Sequence, residues 1–271
     1  MRNFILCGII SLGHPLSIYE KNIFEIFIRR CAMLNTVIFL LKFFVFCIGL
    51  TYHAIIFKFF NKRDERDQYN YMRKLTYKYA YKLVKYSKQK LDIIGKENVP
   101  EGGILLVSNH ESYFDIPYLA YCYGSVIGFI AKKELNIPVL SSWMREMKCI
   151  FIDRGDVRKS IQVINDGISN LKKGYTMAIF PEGHRSTTGE IMEFKKGSLR
   201  LGTKSGAPIV PVVIKGTRNI YENNKLPNLI KRSNVTVCFL PPIYYDKLST
   251  EDQKNLTLIV ENKIKEKYNL I

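Results

Sequence analysis

Short aliphatic runs recur at residues 104–107, 126–130, 149–153, 177–180, 209–214 and 235–240. Each is too short for a helix, and Gly, Pro or polar residues bound it, so each suits a strand buried on both faces. Helix-length stretches lie between them. In one of these, Ile161, Ile164, Ile168 and Leu171 keep helical spacing, with Asp156 as the expected cap and Lys172-Lys173-Gly174 as a stop. Alternation of this kind predicts an α/β fold with a mixed, mostly parallel sheet flanked by helices. Residues 91–95 read as an edge strand, and Pro211 inside the 209–214 run argues for an edge or a bulge there. A tail helix is expected from Thr250, capped by a Thr250-x-x-Gln253 pattern, with Leu256, Val260 and Ile264 packed on the sheet.

In such sheets ligands bind beyond the carboxyl ends of the strands. The 104–107 run delivers Ser108-Asn109-His110-Glu111-Ser112-Tyr113-Phe114-Asp115 to that position, with an imidazole and a carboxylate five residues apart. Asp115, followed by Ile116-Pro117, reads as a helix cap whose carboxylate accepts a hydrogen bond from one ring nitrogen of His110. The other nitrogen is then a candidate general base. The 177–180 run similarly delivers Pro181-Glu182-Gly183-His184-Arg185-Ser186. Proline and glycine shape a tight loop there, the backbone around Gly183 is a candidate oxyanion donor, and Arg185 can grip a phosphate bidentately.

Four blocks, His110-x4-Asp115, Ile150-Phe151-Ile152-Asp153-Arg154, Phe180-Pro181-Glu182-Gly183-His184-Arg185-Ser186 and Ile209-Val210-Pro211-Val212-Val213-Ile214, occur in this order. Together they resemble the glycerolipid acyltransferase family, in particular the 1-acyl-sn-glycerol-3-phosphate (lysophosphatidate) acyltransferases, over residues 90–245. His184 departs from the family pattern, which carries Thr there; Arg185 and Ser186 keep their places. The resemblance implies His110 and Asp115 as catalytic residues and Arg154, Glu182 and Arg185 as binding or loop-organising residues. It also puts Lys132, at the end of the 126–130 run, near the substrate phosphate. No metal and no cofactor enters this scheme. Neither a Gly-x-Ser-x-Gly elbow nor a Walker phosphate loop occurs, so no acyl-enzyme intermediate is implied.

Residues 34–60 are rich in Phe, Ile and Leu, and as a helix these 27 residues would reach about 40 Å, enough to cross a hydrocarbon core. Basic residues stand at both ends, Arg29 and Arg30 before, Lys62, Arg63 and Arg66 after. A crossing helix would violate the positive-inside preference at one end; a helix dipping into one leaflet would not. Downstream, Met72, Leu75, Tyr79, Leu83 and Tyr86 form a helical stripe among Arg73, Lys74, Lys78, Lys82, Lys85 and Lys88, which suits an anionic membrane surface. The expected division is therefore an extension over 1–32, a membrane-associated two-helix unit over 33–90 and a catalytic α/β domain over 91–271. The extension has a basic start and a short apolar run, but no small-x-small cleavage site follows.

With 41 Lys and Arg against 24 Asp and Glu, the net charge of +17 calls for anionic partners. Six scattered cysteines without a C-x-x-C pair argue against a structural zinc site or a disulfide framework and suit a cytoplasmic setting. The expectation is an acyltransferase on the cytoplasmic face of a membrane, monotopic rather than spanning. Its partners would be anionic lipids, an acyl carrier protein or coenzyme A thioester, and a lysophosphatidate acceptor, with no nucleic acid. Another lysolipid or glycerol 3-phosphate as acceptor, and a non-enzymatic basic membrane-binding adaptor, are the alternatives. The adaptor leaves the four blocks unexplained.

Overall fold

The computed structural model describes residues 18–60, 64–87, 90–153, 157–225 and 230–271. Its strands are β1 (Lys90–Ile94), β2 (Leu105–Ser108), β3 (Gly128–Lys132), β4 (Ile150–Ile152), β5 (Met177–Ile179), β6 (Ile209–Lys215) and β7 (Asn234–Phe239). They form one sheet in the order β1-β7-β6-β2-β5-β3-β4. Strands β6, β2, β5, β3 and β4 run parallel, β7 is antiparallel to β6, and β1 pairs parallel with β7. The mixed, mostly parallel sheet expected from the aliphatic runs is what forms. Five carboxyl ends consequently share one rim.

Helices are α1 (Ile18–Phe60), α2 (Glu65–Ser87), α3 (Asp115–Tyr123), α4 (Pro138–Glu146), α5 (Val157–Lys172), α6 (Arg200–Ser205) and α7 (Thr250–Leu270). Strand β2 shows how the layers are specified. Leu106 packs on one face with Val84 of α2 and Tyr118 and Leu119 of α3. Leu105 and Val107 pack on the other with Leu171 of α5, Leu201 of α6, and Leu256, Val260 and Ile264 of α7. Each fully buried aliphatic side chain contributes about 1.5–3 kcal/mol, so central strands apolar on both faces hold the sheet between two helical layers.

Several local expectations shift for physical reasons. Strand β3 begins two residues late, because Val126 packs with α1, α2 and α4 and pairing starts at Gly128 opposite Met177. The buried face of α5 is Val163, Gly167 and Leu171, while Ile161 is exposed. Asp156, its expected cap, lies outside the described residues. The cap of α7 is Ser249, whose hydroxyl accepts from the Asp252 amide, one residue before the expected Thr250. Pro211 sits in the sheet interior rather than at an edge. The other alternative holds: β6 meets β7 through Val212 opposite Phe239 and again through Ile209 opposite Ile243, so the facing chain carries one extra residue. Ile209 N–H and Pro211 C=O both bond toward that chain, and the donor that proline lacks therefore falls at the bulge.

Helix α1 crosses the 32/33 boundary without a break. Its stretch Met33–Ile56 is long and apolar enough to cross a membrane. Leu34, Leu41, Phe44, Val45 and Ile48 are exposed along it. Phe46 packs edge-on against Tyr79 of α2, and His53 Nδ1 lies 3.2 Å from the Tyr71 hydroxyl, so the two helices run antiparallel. Met72, Leu75 and Tyr79 are buried in this contact with Trp143 of α4, while Arg73, Lys74, Lys78 and Lys85 face outward. Phe39 of α1 reaches Phe114, with ring centroids 6.3 Å apart, which sets the apolar helix beside the loop after β2.

Candidate active site

Asn109 is the first residue beyond β2, and its side-chain amide pairs with the backbone of Ile214 at 2.7 and 2.9 Å, tying the loop to β6. The next residue, His110, places Nδ1 2.7 Å from Asp115 Oδ2. The same oxygen accepts from the amides of Glu111 at 2.8 Å and Ser112 at 2.9 Å, and Oδ1 lies 2.5 Å from the Thr217 hydroxyl. Asp115 is completely buried, and these donors supply the hydrogen bonds that a buried carboxylate needs. The carboxylate is not the helix cap expected from Asp115-Ile116-Pro117. Phe114 holds the cap position without a side-chain bond, because the Asp115 side chain turns back onto the loop. A carboxylate only accepts, so His110 Nδ1 carries the hydrogen that the pair shares, and Nε2 is the nitrogen left without a bond to Asp115. The imidazole side chain is 15% exposed.

The loop after β5 grips His110 from three directions. The Phe180 ring stacks on the imidazole with centroids 3.9 Å apart. Glu182 Oε1 accepts from the His110 amide at 2.7 Å, and the Ser186 amide donates to the His110 carbonyl at 2.8 Å. The second Glu182 oxygen accepts from the Met192 amide at 3.1 Å, so both oxygens hold backbone. Burial pushes the Glu182 carboxyl up from its ordinary value, against the opposing pull of these two amides. Gly183 has φ +80°, a backbone conformation that favours glycine, and a Cβ there would displace the Lys195 side chain, whose Nζ would lie 2.5 Å away. Its own amide donates to Phe180 O at 3.0 Å and closes the turn. The oxyanion donor expected at Gly183 is thus committed to the loop in this geometry.

Arg185 lays its guanidinium 3.5 Å over the Tyr113 ring and bonds Glu222 at 3.1 Å. Glu222 also accepts from the Ser112 hydroxyl at 2.7 Å and the Tyr113 amide at 2.8 Å. His184 is exposed and contacts only the neighbouring Arg185 carbonyl, at 3.3 Å, among the described residues. Lys132 is exposed at the carboxyl end of β3, two strand positions from β2 and hence about 10 Å along the rim. Arg154 lies outside the described residues. His110, Asp115, Glu182, Gly183 and Arg185 therefore converge, and Lys132 shares their rim without touching them.

Glu111, Thr217, Arg218, Glu222 and Tyr268 join the site although no local pattern in the sequence marks them. Thr217 and Arg218 follow β6 immediately, the position that had marked the other loops. Gly216, with φ +95° and no room for a Cβ beside Asn234 O, makes the turn that delivers them. Arg218 donates through its guanidinium to the Ser186 and Thr187 carbonyls and through Nε to Asn223 at 2.8 Å, bracing the loop after β5.

A buried carboxylate, an imidazole held by it and a partly open guanidinium thus lie together on one rim of the sheet. The family model described as Acyltransferase matches residues 90–215, the stretch that carries these groups. A Mycoplasma pneumoniae protein named "Probable 1-acyl-sn-glycerol-3-phosphate acyltransferase" is 32% identical over 215 residues, spanning 76% of this chain and 79% of that protein. A Borreliella burgdorferi 1-acyl-sn-glycerol-3-phosphate acyltransferase is 30% identical over 67% of this chain and 73% of its own. Among solved structures, the 1-acyl-sn-glycerophosphate (LPA) acyltransferase PlsC from Thermotoga maritima superposes with TM-score 0.74 and 26% identity, covering 87% of this chain and 95% of that one. The chain belongs to this acyltransferase family.

Proposed function

We propose that the protein transfers a fatty acyl group from an acyl thioester, carried by acyl carrier protein or coenzyme A, to the sn-2 hydroxyl of 1-acyl-sn-glycerol 3-phosphate, giving phosphatidic acid. The observation that carries this reading is the His110 Nδ1–Asp115 Oδ2 bond of 2.7 Å, which leaves Nε2 as a base beside the apolar helix α1. The names of the relatives supply the acceptor.

Nε2 takes the proton of the glycerol hydroxyl as its oxygen attacks the thioester carbonyl. Collapse of the tetrahedral adduct forms the ester, breaks the carbon–sulfur bond and releases the thiolate, to which the imidazolium returns the proton. Asp115 stays ionised and stabilises the imidazolium, and general-base catalysis of this kind contributes about 10²- to 10⁴-fold. In this reading Arg185, Lys132 and Arg154 bind the acceptor's phosphate, and Glu182 and Gly183 shape the loop that carries Arg185. Residues 33–90 seat the enzyme in one leaflet on the cytoplasmic side, with the basic face of α2 toward anionic lipids, and residues 91–271 perform the transfer.

Purified full-length protein in anionic vesicles, given labelled acyl thioesters on either carrier, tests the reading. Label is expected in phosphatidic acid with lysophosphatidate as acceptor and absent with His110→Ala. Transfer only to glycerol 3-phosphate or to another lysolipid would replace the acceptor, and transfer by His110→Ala would remove the base.

A further inference from the structure

Behind the catalytic pair lies a second buried carboxyl, Glu111, which the general-base scheme does not use. Its Oε1 is 2.8 Å from the Thr217 hydroxyl, and that same hydroxyl is 2.5 Å from Asp115 Oδ1. A threonine hydroxyl has one hydrogen and cannot donate to two carboxylates at once. Two of these three oxygens would then face each other with no hydrogen between them unless one carboxyl supplies its own. Asp115 Oδ2 already receives three N–H donors, from His110, Glu111 and Ser112. Glu111 receives two, the Arg218 amide at 3.1 Å and the Tyr268 hydroxyl at 3.0 Å. The carboxyl with fewer donors is the one that gains from keeping a proton.

We propose that Glu111 is held as a neutral carboxylic acid that donates to Thr217, and that Thr217 in turn donates to Asp115, so that Glu111, Thr217 and Tyr268 are positioning residues for the His110–Asp115 pair. This inference rests on the general-base reading of His110 given above. Burial pushes the Glu111 carboxyl up, the Asp115 charge pushes it further, and the bonds from Arg218, Thr217 and Tyr268 oppose the shift. The Arg218 guanidinium is turned to the Ser186 and Thr187 carbonyls, and Lys215 Nζ lies over the Tyr268 ring and donates to the Tyr268 carbonyl at 2.8 Å.

The chain of hydrogens has a purpose. A charged Glu111 would put a second anion beside Asp115 and weaken its hold on the imidazolium. A neutral Glu111 polarises the Thr217 hydroxyl instead and strengthens its bond to Asp115 Oδ1. The device also links two distant parts of the chain to the base, the turn after β6 through Thr217 and α7 through Tyr268.

The test uses the full chain in anionic vesicles, with both KM values and kcat measured. Thr217→Val is expected to lower kcat about ten- to a hundredfold, the loss expected for a hydrogen bond to a charged group, with both KM values unchanged, and Thr217→Ser to restore it. Glu111→Ala should fall similarly, and Glu111→Gln, a neutral isostere that still donates and accepts, should recover most of the loss. An infrared difference spectrum of wild type minus Glu111→Gln at neutral pH should contain the carbonyl band of a protonated carboxyl. Glu111→Gln as slow as Glu111→Ala, a missing band, or wild-type kcat in Thr217→Val would overturn the proposal. His110→Ala run beside them separates the two readings: if it is inactive while Thr217→Val is fully active, only the relay fails, and if it is active, the base fails.

Discussion

The Glu182 carboxylate accepts the amide hydrogen of His110 at 2.7 Å, so the loop after β5 fixes the backbone of the residue that the loop after β2 presents. Glu182→Ala strips acceptors from two amides, His110 and Met192, in a buried setting. Its kcat is expected to fall about 10- to 100-fold, since each unmade buried bond costs about 1–3 kcal/mol. Glu182→Gln keeps one acceptor and should lie between. A larger effect on acceptor KM than on kcat would place Glu182 against the substrate instead.

Raised carboxyls make the pH dependence of stability run opposite to that of ordinary salt-bridged acids. Glu111 and Glu182 both hold a proton more tightly folded than unfolded. Their stabilising contribution is complete below the ordinary value of about 4.5 and is lost as pH rises through the raised folded values. Chemical denaturation of wild type and Glu111→Gln over a pH series checks this. Wild type should lose stability relative to the variant as pH rises across that window, and parallel curves would mean that Glu111 titrates alike in both states.

Arg185 is aligned by the Tyr113 ring and held by Glu222. Arg185→Ala is expected to raise the acceptor KM by about one to two decades, the value of a charge-assisted contact of about 1.5–3 kcal/mol, with little change for the donor. Arg185→Lys should recover only part, because stacking and the planar fork are lost. Lys132→Ala, at an exposed residue, should cost less, about 0–1 kcal/mol. Steady-state kinetics with both substrates varied would distinguish these, and an unchanged acceptor KM in all three variants would remove both residues from the phosphate site.

How much of this was legible in the sequence follows from the range of the interactions. The strands could be read from local aliphatic runs, and His110 and Asp115 from their place beyond one of them. Thr217 and Tyr268 contact the 111–115 loop across 102 and 157 residues of sequence, and no local periodicity marks such a contact. Ile161 shows the opposite failure: its spacing matches the helical stripe, but the buried face of α5 is centred on Val163, Gly167 and Leu171, which pack where the sheet lies. Asp115 followed by Pro117 carries the local signature of a cap, and the amides of Glu111 and Ser112 outcompete the helix for its carboxylate.

In the sequence, basic residues flank the apolar stretch of α1, Arg29 and Arg30 before it and Lys62 and Arg63 after it, and a one-leaflet seat would keep both groups on the same side. In a cysteine-free background, single cysteines at Arg30, exposed on α1, and at Asp64, exposed just before α2, should both react with an impermeant thiol reagent added from the cytoplasmic side. Reaction of the two from opposite sides would show a spanning helix.

His110 and Asp115 share one hydrogen bond and, in the proposed mechanism, one proton transfer. His110→Ala removes the base and is expected to bring kcat down to the level set by substrate positioning alone, with fold and membrane binding intact, since the ring lies at a strand end and is partly exposed. Asp115→Asn keeps the shape but replaces an acceptor that receives three N–H donors with an amide. With NH₂ facing the loop it repels the two amides and favours the wrong tautomer of His110; turned, it keeps these bonds but loses the charge and sets NH₂ against the Thr217 hydroxyl. Its kcat should fall strongly while either KM changes little. Because Asp115 acts on the reaction through His110, removing both should cost hardly more than removing His110 alone. The cycle is read from kcat of the wild type, the two single variants and the double variant under saturating donor and acceptor. Losses that multiply would mean that Asp115 stabilises the transition state independently of the imidazole.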